Sequence, residues 1–259
     1  LPAGPVQTTL QGGWKDISFE SLALRGGIST PTDLSRTAYS ASANVDLPIA
    51  SRSGDVLGWL GDLSVNGRYA LRDVSDFRLL TSWTAGINWS PVERLDLLAT
   101  WVRDETAPAV SQLGTPLLVT PNVATYDFTT GQSVLVTTIT GGNPALLAER
   151  QRDWRLAANW RPLRDGDLSL NLSYARVRSS NTTAALPLLT PVIEAAFAER
   201  VTRDGNGDLV SIDLRPVNFA ETRGQQIRYG VSFSRSFGQA GGPGGPGRGG
   251  AMPGPGGRP

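Results

Sequence analysis

The chain has 259 residues and a formal net charge of +1, a balance that gives no reason to expect a nucleic acid as partner. It contains neither cysteine nor histidine, which excludes disulfide bonds and thiol nucleophiles and removes the commonest general base and metal ligand. The composition therefore favours a protein that is not an enzyme, and it points to no cofactor and no metal.

No apolar run reaches the ~18 residues that a membrane-spanning helix needs. Residues 1–4 carry neither an initiator methionine nor the beginning of a signal segment. The chain is therefore expected to be a piece of a longer protein.

Taken in order, the chain alternates apolar and polar side chains with a period of two, the pattern of β-strands that have one apolar face. A first strand is predicted at residues 6–14, followed by a loop rich in Gly, Ser, Thr and Pro. Cleaner strands are predicted at residues 36–47, 62–72, 82–89 and 95–101. Pro48 should end the second strand, because proline cannot donate to a ladder.

The clearest hairpin covers residues 153–178, where both arms carry an apolar row opposite a polar or small-residue row. The two apolar rows are Trp154, Leu156, Ala158, Trp160 and Leu168, Leu170, Leu172, Tyr174. Trp and Tyr at the ends of such rows suit the headgroup level of a bilayer.

Two long insertions, residues 104–149 and 179–222, are expected to be irregular loops. In the second, Asn206 and Gly207 predict a type I′ hairpin, and Thr190 with Pro191 predicts a short capped helix over residues 192–200. The acidic run at residues 204–208 begins like an EF-hand loop. That pattern requires Gly directly after Asp208 and Glu six residues later, where this chain has Leu209 and Arg215, so it is no calcium site. A last strand at residues 226–237 completes about eight strands of roughly 9–12 residues.

Connection lengths alternate along the chain. The strand ends near Leu47, Trp89, Trp160 and Phe237 are expected on one side, the periplasmic one, because the connections that follow the first three are short or medium. Both long loops should lie on the opposite, extracellular side, as in outer-membrane barrels.

The alternation fits a soluble lipocalin-like barrel or sandwich as well as a membrane barrel. The aromatic placement, the small polar face and the loop asymmetry favour the second. The predicted fold class is all-β: an antiparallel segment of a transmembrane β-barrel in the bacterial outer membrane. It should hold about eight up-and-down strands in an open curved sheet over residues 1–238. Residues 239–259, rich in Gly and Pro, should form a flexible periplasmic connector.

The two faces of the strands define three sets of candidate residues. The lipid-facing set, on the convex surface, is Val65, Ile87, Leu156, Leu170, Leu172 and Val231. The lumen-facing set is Arg68, Asp96, Arg155, Asn171 and Arg228. The aromatic girdle is Tyr39, Trp83, Trp89, Trp101, Trp154, Trp160 and Tyr174. The charged lumen residues could line a channel or could only form charge pairs in a wet lumen.

Residues 141–149 (GGNPALLAE), with the strand of Trp154 after them, resemble the "GNPxLxPE…W.L" passage of TonB-dependent outer-membrane receptors, with Ala148 in place of the usual proline. The strand that ends at Pro108 is similar to the family's "W.R..RAPS/N" strand end. Residues 216–220 (PVNFA) are similar to loops of proteobacterial members.

This resemblance implies a section of a 22-stranded barrel that a plug domain fills, importing siderophores, cobalamin or glycans. About eight of those strands would be present, and the TonB complex would act only through the missing plug region. The expected partners are outer-membrane lipid and a small-molecule substrate. The alternative is a complete small eight-stranded barrel with a structural or adhesive role, which a ladder between the first and last strands would favour.

Overall fold

The structure, a computed structural model, describes residues 1–25, 27–163 and 167–234 and consists mostly of β-strands. The main sheet contains β1 Gln7–Arg25, β2 Ile28–Ala50, β3 Asp62–Val74, β4 Arg78–Val92, β5 Leu95–Thr106, β8 Glu149–Trp160, β9 Asp167–Ala184 and β12 Val217–Ser234. A second sheet, called the loop sheet below, contains β6 Leu118–Asp127, β7 Gln132–Thr140, β10 Val201–Arg203 and β11 Leu209–Asp213. The helices are α1 Val110–Gly114 and α2 Pro191–Ala196, with 3₁₀ turns at Gly58–Leu60 and Ala198–Arg200.

The main sheet is an open up-and-down meander. Its order is β1-β2-β3-β4-β5-β8-β9-β12, and every neighbouring pair is antiparallel. Within the described residues no ladder joins β1 to β12. This confirms the prediction of an open sheet with eight strands, and it is not what a closed eight-stranded barrel would show.

The first two strands are much longer than the sequence predicted. β1 and β2 pair continuously from Gln7↔Asp46 to Arg25↔Ile28, so the expected loop after residue 14 is strand instead. Proline is tolerated at residue 31 because β2 pairs with β3 only from Ala38 onward, which leaves one edge of β2 open at that level. Pro48 does not end the strand either; the ladder with β3 shifts its register there.

β9 and β12 also extend beyond the boundaries that the sequence predicted. β9 and β12 pair from Asp167↔Ser234 to Ala184↔Val217, and the strands of the main sheet are 12 to 23 residues long rather than 9–12. The added segments carry polar residues on both faces. They therefore lack the alternation from which the strands were predicted.

The two long insertions are not irregular, as expected, but fold together. The loop sheet has the order β10-β11-β7-β6, so two of its strands come from each insertion, and β11 pairs parallel with β7. It covers a small apolar core of Val136, Leu189, Leu209 and Ile212. This pairing places both insertions at one end of the main sheet, whereas the connections after β2, β4 and β8 lie at the other. The predicted grouping of the loops is confirmed; Phe237 lies outside the described residues.

The second insertion contains the predicted helix and hairpin. α2 begins at Pro191, and the Thr190 hydroxyl accepts a hydrogen bond from the Ile193 amide at 3.4 Å. The helix ends at residue 196 rather than 200, with a 3₁₀ turn after it. The predicted type I′ turn is wrong: Gly207 (φ +89°) has a positive φ but Asn206 does not, so the hairpin uses a longer loop with glycine in the left-handed position.

Among the described residues there is no helix with the length and apolar character needed to cross a membrane. The Gly/Pro-rich residues 239–259 lie outside the described part of the chain, and their role as a flexible connector stays a prediction.

Candidate functional site

The hydrogen-bond register assigns the side chains of the main sheet to two faces, because residues directly opposite each other in a ladder lie on the same face. One row reads Val65–Ile87–Ala99–Leu156–Tyr174–Ile227 across six strands. The adjacent row reads Asn66–Gly86–Thr100–Arg155–Ala175–Gln226 and lies on the opposite side. We call these sides the apolar face and the polar face.

The register brings together each set of residues that the sequence grouped. The apolar face carries Val65, Ile87, Leu156, Leu170, Leu172 and Val231, with the aromatic residues Tyr39, Trp83, Trp89, Trp101, Trp154, Trp160 and Tyr174. The polar face carries Arg68, Asp96, Arg155, Asn171 and Arg228.

The apolar face is not covered by the rest of the described chain. Leu172 is 53% exposed, Ile227 66% and Val231 69%. A soluble protein rarely leaves a contiguous apolar surface of several strands open to water. In a soluble barrel this face would be the core, so its exposure counts against that alternative.

Two rows of aromatic residues cross the apolar face, and both run obliquely to the hydrogen-bond rows. On the side of the loops the row comprises Trp83 in β4, Trp101 in β5, Trp154 in β8 and Tyr174 in β9. Trp83 and Trp101 meet edge to face with ring centroids 3.8 Å apart, and Trp101 stacks on Trp154 at 5.4 Å. Relative to the hydrogen-bond register, the row shifts by four residues toward the short turns between β4 and β9, which is a distance of three strand-to-strand steps.

The second aromatic row lies on the side of the short turns and comprises Trp89, Trp160 and Phe233. This row shifts by four residues in the same direction between β4 and β12, which is a distance of four strand-to-strand steps. With strands about 4.8 Å apart and a rise of about 3.3 Å per residue, the two offsets correspond to strand tilts of about 35–43°. Tilts of that size are typical of the walls of membrane β-barrels. Phe233 belongs to this row although the sequence interpretation did not include it.

The polar face holds a wide concavity of about 740 Å³ over β1 to β5. Its lining includes Ser40, Ser42, Arg68, Arg72 and Asp104. Hydroxyl and charged groups of this kind keep a surface hydrated rather than packed. The concavity therefore suits a wall beside water or beside another polar domain.

Some charges on the polar face are paired and others are not. The Asp153 carboxylate is 1% exposed and accepts a hydrogen bond from Arg155 at 3.1 Å. Asp96 accepts one from the Ser90 hydroxyl at 2.7 Å and lies 3.8 Å from Arg161. Arg68 and Arg228 form no ion pair with any other described residue. Charge pairing thus accounts for part of the set, and two arginines stay available to a ligand or another domain.

The passages on which the family resemblance rests meet at the base of the loops. The buried Asn143 side chain donates to the Pro216 carbonyl at 2.8 Å and accepts from the Ala145 amide at 3.0 Å. Asn218 accepts from the Leu147 amide at 2.8 Å. Gly142 packs so closely on α1 that a Cβ would lie 2.5 Å from the Leu113 backbone. Residues 141–149 and 216–220 therefore fasten the two insertions to each other.

An ion cluster in the loops was not foreseen from the sequence. Arg203 donates to both oxygens of Asp127 at 2.8 and 2.9 Å and to both oxygens of Glu194 at 2.6 and 2.8 Å. Hydrogen bonds from Arg203 lower the pKa of Asp127 and of Glu194 below their usual ranges, although burial opposes the shift. The same bonds, first to Glu194 and then to Asp127, raise the pKa of Arg203. Nothing local in the sequence signals a contact between residues 76 positions apart.

The described part of the chain shows no cluster of acidic side chains that could hold a metal ion. The candidate site is thus made of surfaces: the apolar face, the polar face and the loop sheet.

No protein-family model matches the sequence, and no curated protein does either. Solved structures do match. The ferric enterobactin receptor PfeA of Pseudomonas aeruginosa superposes with a TM-score of 0.60 and 18% identity over 86% of this chain and 30% of the receptor. A PfeA structure in complex with enterobactin gives a TM-score of 0.61 with the same identity and coverage. The siderophore receptor PirA of Acinetobacter baumannii gives 0.45 and 15% identity over 88% of this chain and 34% of that one.

The chain therefore spans about a third of the length of the receptors it matches. The matched structures are receptors and not enzymes. Eight antiparallel strands in an open sheet, with an exposed apolar face and loops gathered at one end, correspond to part of such a receptor. The chain has the fold of a section of the β-barrel of TonB-dependent outer-membrane receptors, as the sequence resemblance implied.

Proposed function

We propose that the chain forms part of the wall of a TonB-dependent receptor that takes up a scarce nutrient across the bacterial outer membrane. The observation that carries this proposal is the exposed apolar face with an oblique aromatic row along each border. The obliquity of both rows equals the tilt of strands in a barrel wall. A sheet with this surface is stable where lipid covers it.

In this proposal the polar face and the loop sheet have separate roles. The polar face, with Arg68 and Arg228 free of ion pairs among the described residues, is suited to line a hydrated lumen beside a plug domain. The TonB complex would act through that plug and not through this chain. The loop sheet lies on the side from which a substrate arrives. Ion pairs of Arg203 and the hydrogen bonds of Asn143 at the base of the loops stabilise it. The Gly/Pro-rich residues 239–259 would connect strands on the periplasmic side.

The substrate class we propose is a siderophore, cobalamin or a glycan. A ferric siderophore is the first candidate, because the matched PfeA structures are described as those of a ferric enterobactin receptor. The closed eight-stranded barrel with a structural or adhesive role is less well supported, since β1 and β12 do not pair in the described sheet.

The test is an uptake assay in a strain from which the complete protein containing this chain is deleted. We expect uptake of one of three labelled probes, a ferric siderophore, cobalamin or an oligosaccharide, to fall to the level seen in a strain that lacks TonB. A plasmid copy should restore it. Unchanged uptake of all three probes, or a loss that TonB does not share, would count against the proposal.

A further inference from the structure

Six arginines lie on the apolar face of the main sheet, between its loop-side aromatic row and the loop sheet. We call them the arginine belt: Arg103, Arg150, Arg152, Arg176, Arg178 and Arg223. Four of them stand directly opposite one another on consecutive strands, because the register pairs residue 103 with 152, 152 with 178, and 178 with 223. Like charges directly opposite each other in a ladder are destabilising. The row therefore calls for a counter-charge.

The belt follows the oblique aromatic row from strand to strand. The pairs are Trp101 and Arg103 in β5, Trp154 and Arg152 in β8, and Tyr174 and Arg176 in β9. In each pair the arginine is two residues farther toward the loops, which is about 6.6 Å along the strand on the same face. The belt thus keeps a constant position relative to the aromatic row although that row crosses the register.

Two glutamates balance only part of this charge. Glu105 lies 3.6 Å from Arg103 and 3.2 Å from Arg150. Glu221 is hydrogen-bonded to Arg223 at 2.8 Å and also forms an ion pair with Arg178 in β9, which stands opposite Arg223. Six arginines against two glutamates leave four positive charges on this strip of surface.

The central arginines of the belt are the unbalanced ones. Arg152 and Arg176 are exposed, and neither forms an ion pair or a side-chain hydrogen bond with another described residue. Each guanidinium offers five N–H donors in a planar fork, a geometry that matches phosphate oxygens. Water weakens the repulsion along the row but supplies no counter-charge.

We propose that the arginine belt binds the phosphate groups of lipid headgroups in the leaflet on the side of the loops. The proposal rests on the membrane position of the sheet given under Proposed function. The aromatic row marks the level where hydrocarbon meets headgroups, and the belt begins one side chain beyond it. Lipid phosphates at that level supply the anions that the two glutamates do not. Several arginines on adjacent strands would hold more than one phosphate of the same lipid.

The experiment uses the complete protein containing this chain, purified in a non-ionic detergent and mixed with lipid A that carries two phosphates. Retained lipid is counted by native mass spectrometry. The double variant R152Q/R176Q should retain about tenfold less lipid than the wild type. R68Q/R228Q, which removes the same charge from the polar face, should retain as much as the wild type. R152K/R176K, which keeps the charge, should retain most of the lipid.

Two further arms identify the ligand. Dephosphorylated lipid A should bind weakly to every form of the protein, and an excess of inorganic phosphate should not displace the phosphorylated lipid. Equal retention by R152Q/R176Q and the wild type would overturn the proposal, as would equal binding of dephosphorylated lipid or full displacement by free phosphate. If insertion into bilayers is normal while any of these results appears, only the belt is contradicted. A wild-type protein that stays soluble without detergent would contradict the proposed function as well.

Discussion

At the scale of single residues, Leu170 and Asn171 are neighbours in β9 that lie on opposite faces. Leu170 stands opposite Trp160 and Val231 on the apolar face. Leu170→Arg should lower the free energy of unfolding in liposomes by about 2–4 kcal/mol, because it puts a charge against hydrocarbon. Asn171→Arg should cost little on the hydrated face. Urea titrations of the complete protein in liposomes measure both, and equal costs would show that the faces are wrongly assigned.

Asn143 offers a second test at this scale. Asn143→Ala removes a donor from the Pro216 carbonyl and an acceptor from the Ala145 amide. The expected loss in stability of the loop base is about 1–3 kcal/mol, because groups are left unsatisfied where the residue is 5% exposed. Asn206→Ala, in an exposed turn, is the control and should change stability by less than about 0.5 kcal/mol. A similar cost for both variants, measured by hydrogen exchange in β7 and β12, would refute the role of Asn143.

Side-chain alternation was enough to group residues by face, because successive residues of a strand point to opposite sides of the sheet. Alternation put Leu156 and Arg155 on different faces, and so does the hydrogen-bond register of β8 with its neighbours. It could not predict that Asn143 would bond a carbonyl 73 residues away, since that contact depends on how two insertions meet.

At the scale of elements, the cluster of Arg203, Asp127 and Glu194 makes the loop sheet sensitive to acid. The pKa values of both carboxyls are lower in the folded protein than in the unfolded chain. The stabilisation is therefore fully present above the pKa values of the unfolded chain, which are about 4 to 4.5. It is lost as the pH falls through the lower pKa values of the folded protein. Hydrogen-exchange protection of β6 and β7, corrected for intrinsic rates, should stay level from about pH 7 to 5 and fall below about pH 4.

The matched variant is Arg203→Gln. It should reduce protection in the loop sheet at neutral pH, and its difference from the wild type should shrink as acid protonates the carboxyls. A difference that is the same at neutral and at acid pH would show that the ion cluster does not control this sheet.

Elements were predictable where one face met a different environment from the other. β3, β4, β5 and β8 were predicted with boundary errors of up to five residues. The long hairpin of β1 and β2 was not, because residues 15–35 mix polar and apolar side chains on both faces and include Pro31. In the two insertions, only the hairpin of β10 and β11 and the helix α2 were predicted. The rest of the loop sheet was missed, because its core of four residues is assembled from both insertions.

At the scale of the whole molecule, the oblique aromatic rows predict how the sheet is tilted in a bilayer. Nitroxide labels at positions 83 and 174, in one aromatic row, should lie at equal depth. Labels at 83 and 178, in one hydrogen-bond row, should differ in depth by about 8–10 Å. Depth is measured by collision with oxygen and with a water-soluble nickel chelate. The reverse result would mean that the strands stand upright and that the aromatic rows are not membrane borders.

The central claim is that the apolar face contacts lipid and the polar face contacts water. The chain has no cysteine, so single cysteines can be placed at each position from 154 to 160 in β8 of the complete protein and labelled in lipid bilayers. Positions 154, 156, 158 and 160 should be more accessible to oxygen, and positions 155, 157 and 159 to the nickel chelate. A reversed pattern, or one preference shared by all seven positions, would contradict the assignment of this chain to a membrane barrel wall.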